Sequence, residues 1–320
     1  MDILNLIGSI IVLIVAVPGI LFSSFVVYLF VSGSSDKTSF NVICLTRAVN
    51  NIIVLVFNFL VITFPSLLLS YNYLPISLET LLILSTVNIY VANDVLTILV
   101  AINRFIAMFA PFYYDKLCSI KVTAACISLI YLNRVYATMT KSYNLFDGGC
   151  RIYTSLETFA TTYEDPSCKK TSDNGFSSFD VLFGAIGFLG IALILNLFTF
   201  SKILRFYLGK NGQRSKETSM SIRKNIRMFF QTVLQDSLFL IDVLFTYKFS
   251  TLSKARIWLF ISIILVWESI YMLDGFIMLM FSDKLSTLKS MFVKKKLNSI
   301  ERVPSEIRSV NPVHSLAEVG

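Results

Sequence analysis

Of the 320 residues, 55% are hydrophobic and only 15% are charged, with a mean hydropathy of +0.71 and a net charge of +8. A soluble domain carries roughly 25% charge and 45–50% apolar residues, so the composition excludes one soluble core and makes a lipid bilayer the solvent for much of the surface. The basic residues fall in loops between apolar blocks, which excludes a phosphate-binding face for nucleic acid and reads as membrane topology.

A helix that spans a bilayer needs about 20 mainly apolar residues, and seven stretches qualify. The first, 3–32, begins with Asp2 and has no charge before Asp36. It lacks the basic start of a cleavable leader and is expected to be retained, with a kink at Pro18-Gly19. The second, 42–70, has Arg47 near its start and Asn50, Asn51 and Asn58 as its polar positions. The third, 80–109, carries Asp94 and closes on Asn103-Arg104-Phe105, followed by Pro111 and a short basic loop. Ten residues separate Asp94 from Arg104, about 15 Å of helix, so an arginine at one bilayer edge puts Asp94 near the middle.

The fourth span, 122–140, is the shortest, and Asn133-Arg134 interrupts it. Arg134 is expected in its outer third, where it can snorkel to the headgroups. A polar loop with Cys150 and Cys168 follows. The fifth span, 179–204, has Gly184, Gly187 and Gly190 at a spacing that predicts close approach of a neighbouring helix. The sixth, 226–249, contains Gln235, Asp236 and Asp242, and the seventh, 257–281, contains Glu268 and Asp274. Beyond it, 283–297 reads as an interfacial amphipathic helix ending in Lys294-Lys295-Lys296, so that 1–297 forms one domain and 298–320 a disordered tail.

Counting Lys and Arg orients the bundle. With the N-terminus outside and the C-terminus inside, 20 of the 28 fall on the inner side and 8 on the outer, as the positive-inside rule requires. Dropping the fourth span would turn the eight basic residues of 202–227 outward, so all seven are kept.

Five acids lie inside predicted spans: Asp94, Asp236, Asp242, Glu268 and Asp274. Each costs about 2.5–3.5 kcal/mol near a helix centre, so they are expected to face the bundle interior or a water-filled cavity. With Gln235 they form a candidate polar network or ligand cavity. The alternative is hydrogen bonding that only holds the helices together. Arg47 and Arg134 cannot neutralise five carboxylates, and some of the acids are expected to be protonated or hydrated. Cys150 and Cys168 enclose 17 residues, and a bridge there in an oxidising compartment stabilises by roughly 3 kcal/mol in the chain-entropy model. His314, in the polar tail, is the only histidine, so histidine catalysis in the membrane core and a His-rich metal site are excluded. No nucleotide-binding or cofactor motif is present, and no enzyme activity is expected.

The strings AINRFIAMFAPFYYDK and RKNIRMFFQTVLQDSLFLID resemble the nematode serpentine receptor class X chemoreceptors, within the rhodopsin-like seven-helix receptors. The resemblance implies an all-α seven-helix chemosensory receptor at the plasma membrane of sensory neurons, coupling a small-molecule or peptide ligand to a heterotrimeric G protein. Arg104, flanked by Asn103 and Phe105, then takes the role of the arginine that is released on activation. Three features depart from the rhodopsin-like pattern. No cysteine stands at the outer end of the third span to bridge to the following outer loop. Asn51 replaces the usual acid of the second span, and Asp274-Gly275 stands where the seventh usually has N-P-x-x-Y. The fourth span also looks short for the family. A secondary transporter driven through the buried acids is the competing reading, although such folds usually show internal repeats and helices broken at the midplane, and neither is evident.

Overall fold

The computed structural model describes residues 2–32, 38–165, 167–168, 178–208 and 216–282. The amphipathic helix and tail expected over 283–320, and the loop around Lys210, lie outside the described residues. Seven helices long and apolar enough to cross a membrane form the bundle. They are α1 (Ile3–Val31), α2 (Ser39–Leu69), α3 (Ile76–Phe109), α4 (Ile120–Asp147), α5 (Ser178–Leu208), α6 (Lys216–Tyr247) and α7 (Arg256–Met280). A short helix, Pro111–Leu117, follows α3.

The helix ends follow local chemistry. Asp2 caps α1 by accepting the Leu4 N–H at 3.0 Å, Thr38 caps α2, and Ser119 caps α4. Helix α1 runs unbroken through Pro18. Helix α4 is 28 residues long, not 19: the polar residues of 141–147 end the apolar pattern but not the winding, which stops only at Gly148-Gly149, where Gly149 has φ +67°. Arg134 therefore stands at the middle of α4 and not in an outer third. Helix α6 begins ten residues before the expected start.

Helix α2 is wound wide over Leu55–Thr63, with π-type hydrogen bonds. The Phe64 N–H reaches back five residues to the Phe59 carbonyl, and the Thr63 hydroxyl donates to the Asn58 carbonyl at 2.8 Å. Pro65 has no N–H to give to the carbonyl of Val61. The Tyr73 hydroxyl, from the loop beyond the helix, donates to that oxygen instead, at 2.5 Å. Helix α7 has a second wide turn at Phe260–Leu265.

Two larger apolar clusters lie in the interior, beside a smaller one of Ile62, Ile83, Leu84 and Ile152. One joins Val12 and Ala16 of α1, Leu55 and Phe59 of α2, and Phe260, Ile264 and Tyr271 of α7. The other joins Phe40, Ile43 and Ala48 of α2, Leu96 and Val100 of α3, Ile127 of α4 and Met278 of α7.

The close helix contact is not at Gly184, Gly187 and Gly190, where an added Cβ would meet nothing within 4 Å. It lies between α1 and α7. A Cβ on Gly275 would stand 2.5 Å from the Ser23 Oγ and 3.3 Å from its backbone nitrogen, and one on Gly19 would stand 3.0 Å from the Met272 Cα. Gly275→Val is thus expected to force α1 off α7, destabilising the bundle by about 1–3 kcal/mol. A lower thermal midpoint in detergent, with Gly187→Val unchanged beside it, is the measurement.

Candidate functional site

The interior polar groups gather at Asp274. Arg47 donates to its Oδ1 at 2.8 Å, Asn51 to its Oδ2 at 2.8 Å, and Gln235 to its Oδ1 at 2.7 Å. All four residues are essentially buried. Arg47 also donates to the Thr97 hydroxyl at 3.2 Å and lies 5.4 Å from the centre of the Phe239 ring. One carboxylate therefore holds α2, α6 and α7, and through Arg47 also α3. Removing one partner of such a pair leaves the other charge stranded away from water, at a cost of roughly 3–5 kcal/mol.

A second set of contacts runs alongside. Asn50 donates to the Asn93 Oδ1 at 2.6 Å, and the Tyr131 hydroxyl donates to the Asn50 Oδ1, joining α2, α3 and α4. Asp236 is adjacent to Gln235, but a one-residue step turns about 100° around the helix. It faces α5 instead, where Asn196 donates to its Oδ2 at 2.6 Å. Asp242 accepts from the Thr246 hydroxyl at 3.4 Å and is hydrogen-bonded to the Tyr90 hydroxyl. Asp94, one turn from Tyr90, is buried without a hydrogen bond among the described residues. Neither oxygen of the fully buried Glu268 has a hydrogen-bond partner among them. The aromatic rings of Phe239, Tyr90, Trp267 and Tyr271 pack in that order, with centroids 6.1–6.4 Å apart.

At the end of the bundle where α3 closes, Asn103 donates to the Ser39 hydroxyl at 2.8 Å, and Ser39 pairs with the Thr123 hydroxyl at 2.5 Å. Tyr114 of the short helix donates to Asn103 at 3.3 Å. This ties α2, α3, α4 and the short helix together. The Arg104 guanidinium is buried, lies 4.7 Å from the centre of the Phe40 ring, and has no hydrogen-bond partner among the described residues. Phe105 stacks on Phe109 at 4.5 Å. Lys202 of α5 lies over the Phe109 ring at 4.5 Å and donates to the Met108 carbonyl at 2.5 Å, a cation at the negative end of α3.

At the opposite end, Cys150 and Cys168 are joined in a disulfide. Between them lies a hairpin, β1 (Ile152–Thr154) paired antiparallel with β2 (Thr161–Tyr163). The hairpin is not bridged covalently to α3 but is hydrogen-bonded to it. The Thr154 N–H donates to Glu79 at 2.8 Å, the Ile152 N–H to the Thr80 hydroxyl at 3.0 Å, and Thr80 to the Ile152 carbonyl at 2.8 Å. The tip carries Phe159 at φ +55°, fully buried and edge-on to Phe260 at 5.5 Å. Such a backbone is costly for an aromatic residue.

Arg256 holds the tip in place. It donates to the Leu156 carbonyl at 2.8 and 3.1 Å, to Asn5 at 2.7 Å and to Asp2, and sits 5.3 Å from the Phe159 ring centre. The Leu4 N–H and the Arg256 guanidinium hold the Asp2 carboxyl below its usual range. In the sequence Arg47 stands out as an intramembrane cation without a named partner, and Glu79, Asn93, Asn196 and Arg256 carry no pattern that singles them out. Pairings such as Arg47 with Asp274, 227 residues apart, leave no mark in a single sequence.

Among the described residues, a seven-helix membrane bundle is tied internally by one buried ion pair and closed at one end by a disulfide-bounded hairpin. The family model of the serpentine-type seven-transmembrane G-protein-coupled chemoreceptors, Srx, matches residues 13–282, and the chain belongs to that family. Among curated proteins compared with the chain, none matches. The chain is thus a multi-pass membrane protein of a chemosensory receptor family.

Two outcomes follow from this geometry. Arg47→Ala and Asp274→Ala are each expected to destabilise the protein by roughly 3–5 kcal/mol, while the paired change Arg47→Met with Asp274→Leu costs less than either alone. Thermal unfolding of the purified variants reads the difference. Arg256→Ala is expected to free the hairpin tip, seen as faster amide exchange over 155–160. Because the Asp2 carboxyl sits below its ordinary 3.8 when folded, its share of that anchoring is complete above pH 3.8 and is lost as pH falls through its lowered value.

Proposed function

We propose that the chain couples an extracellular ligand, a small molecule or a peptide, to an intracellular heterotrimeric G protein, with the N-terminus outside and the C-terminus inside. The observation that carries this reading is Arg104. The Arg104 guanidinium is buried at the end of α3 over the Phe40 ring, with no hydrogen-bond partner among the described residues, beside an Asn103 lock that ties α2, α3, α4 and the short helix. A guanidinium without hydrogen bonds is held less firmly than one paired with a carboxylate, so little is needed to release it.

The working motion is a shift between two packings of the bundle, and a ligand drives it only by binding one of them better. Helix α6 is the natural moving part. Its polar contacts to the other helices include Gln235 with Asp274, Asp236 with Asn196 and Gln231 with Cys44. Ligand contact falls to the interior between that level and the hairpin, where Asp94, Asp242 and the ring series of Tyr90, Phe239, Trp267 and Tyr271 lie. The disulfide keeps the hairpin closed over that end.

The test is nucleotide exchange on G protein in membranes of cells expressing the chain, across a panel of small molecules and peptides. An active compound is expected for the wild type, with the response lost in Arg104→Ala. Phe40→Leu, which removes about 1 kcal/mol of ring contact, is expected to raise ligand-independent exchange about fivefold. Substrate-driven current or uptake with no exchange would instead favour a transporter.

A further inference from the structure

Between Asp274 and the hairpin, the interior holds two buried carboxyls, Asp94 and Asp242, with no ion-pair partner for either among the described residues. Their level follows from the winding. Toward the hairpin, Asp94 is one turn from Thr97, Tyr271 is one turn from Asp274, and Asp242 is two turns from Gln235. The two carboxyls come close enough to feel each other's charge. The cation that also reaches Asp94 electrostatically is Arg47, and it is paired with Asp274 at 2.8 Å.

The groups around the two acids are neutral. Asp242 is hydrogen-bonded to the hydroxyls of Tyr90 and Thr246, and Asp94 has no hydrogen bond among the described residues. The Tyr271 hydroxyl is fully buried, has no hydrogen-bond partner among the described residues, and stands within electrostatic reach of both carboxyls, beside the Trp267 indole. The rings of Phe239, Tyr90 and Trp267 border the same region, with successive centroids 6.1 and 6.4 Å apart. Tyr90 and Trp267 point at each other from α3 and α7, yet each keeps part of its surface accessible. Rings so placed line a space and do not fill it.

We propose that the ligand seated here is a small organic cation, an amine or quaternary ammonium ion, held between Asp94, Asp242 and the rings of Tyr90 and Trp267, with the Tyr271 hydroxyl accepting from any N–H it carries. The inference rests on the receptor reading above for there being a ligand, and adds its charge. An anion would be seated against two acids. A bare metal ion would use the carboxyls and leave the rings idle, and among the described residues no third acid, histidine or cysteine joins them as a ligand. An organic cation uses both, because ring faces attract positive charge most strongly where water is excluded.

The test follows the thermal midpoint of the purified full chain in neutral detergent at constant ionic strength. No G protein is present, so failure of coupling and failure of the site read separately. The probes are two pairs of similar shape: choline with uncharged dimethylbutanol, and phenethylamine with phenylethanol. At least one ammonium ion is expected to raise the midpoint at a concentration about tenfold below that needed by its neutral partner. The preference should shrink in Asp94→Asn and in Asp242→Asn and vanish when the two are combined. Tyr271→Phe, which removes one oxygen and keeps the ring, should weaken the phenethylamine effect about threefold. No shift with either ammonium ion, equal shifts within both pairs, or the same shift from sodium chloride would overturn the proposal. So would a preference that survives in the combined asparagine variant or, where that variant does not fold, one unchanged in Tyr271→Phe.

Discussion

The structure depends on what surrounds the Asp274 carboxylate. A charge in the hydrocarbon region survives only if its hydrogen-bonding capacity is filled, and Asp274 fills it from three side chains on two other helices. The angular setting of α2, α6 and α7 is therefore fixed together, since rotating any one of them leaves a donor or an acceptor bare. Apolar packing alone is indifferent to a small slip of one helix along another. The ion pair is not, and so it gives the bundle a defined register.

The two ends of the bundle are secured differently. Where α3 closes, the ties are neutral and short, Asn103 with Ser39 and Ser39 with Thr123, and the cations Arg104 and Lys202 lie over the Phe40 and Phe109 rings. At the hairpin end the ties are charged and layered, with Glu79 accepting a strand N–H, Arg256 gripping the tip, and the disulfide at the base. A loop that closes over the bundle by backbone hydrogen bonds to α3 needs no covalent bridge to it. This accounts for the absence of a cysteine at that helix end. Charged and covalent ties are thus concentrated where Phe159 enters.

The seven-helix architecture was legible in the sequence because hydropathy reports transfer free energy directly, and blocks of about 20 apolar residues leave few alternatives. What hydropathy reports, however, is the membrane, not the winding. Helix α6 starts at Lys216 because lysine, glutamate and arginine are good helix formers, and α4 persists to Asp147 until Gly148-Gly149 ends it. The candidate polar residues were recognisable as buried, but their grouping was not. Gln235 and Asp236 are neighbours in the chain that serve different helices, and Asp274 meets Arg47 while Glu268 meets no hydrogen-bond partner among the described residues. The glycine spacing in α5 resembled a packing motif because small residues at helical intervals carry the same pattern on either face. Only the direction of the face, set by the rest of the bundle, distinguishes contact from lipid.

The wide turns of α2 and α7 have a further bearing on how such a chain tolerates change. A π-wound stretch carries one residue more than ordinary winding needs for the same span, which makes Leu55–Thr63 a store of spare length between the Arg47–Asn51 pair and Pro65. Loss of a single residue there can be absorbed by tightening to regular helix, with both flanks keeping their depth. Loss of one residue in the regular winding of α3 between Asn93 and Arg104 has no such slack, and would swing every side chain beyond it about 100° around the axis.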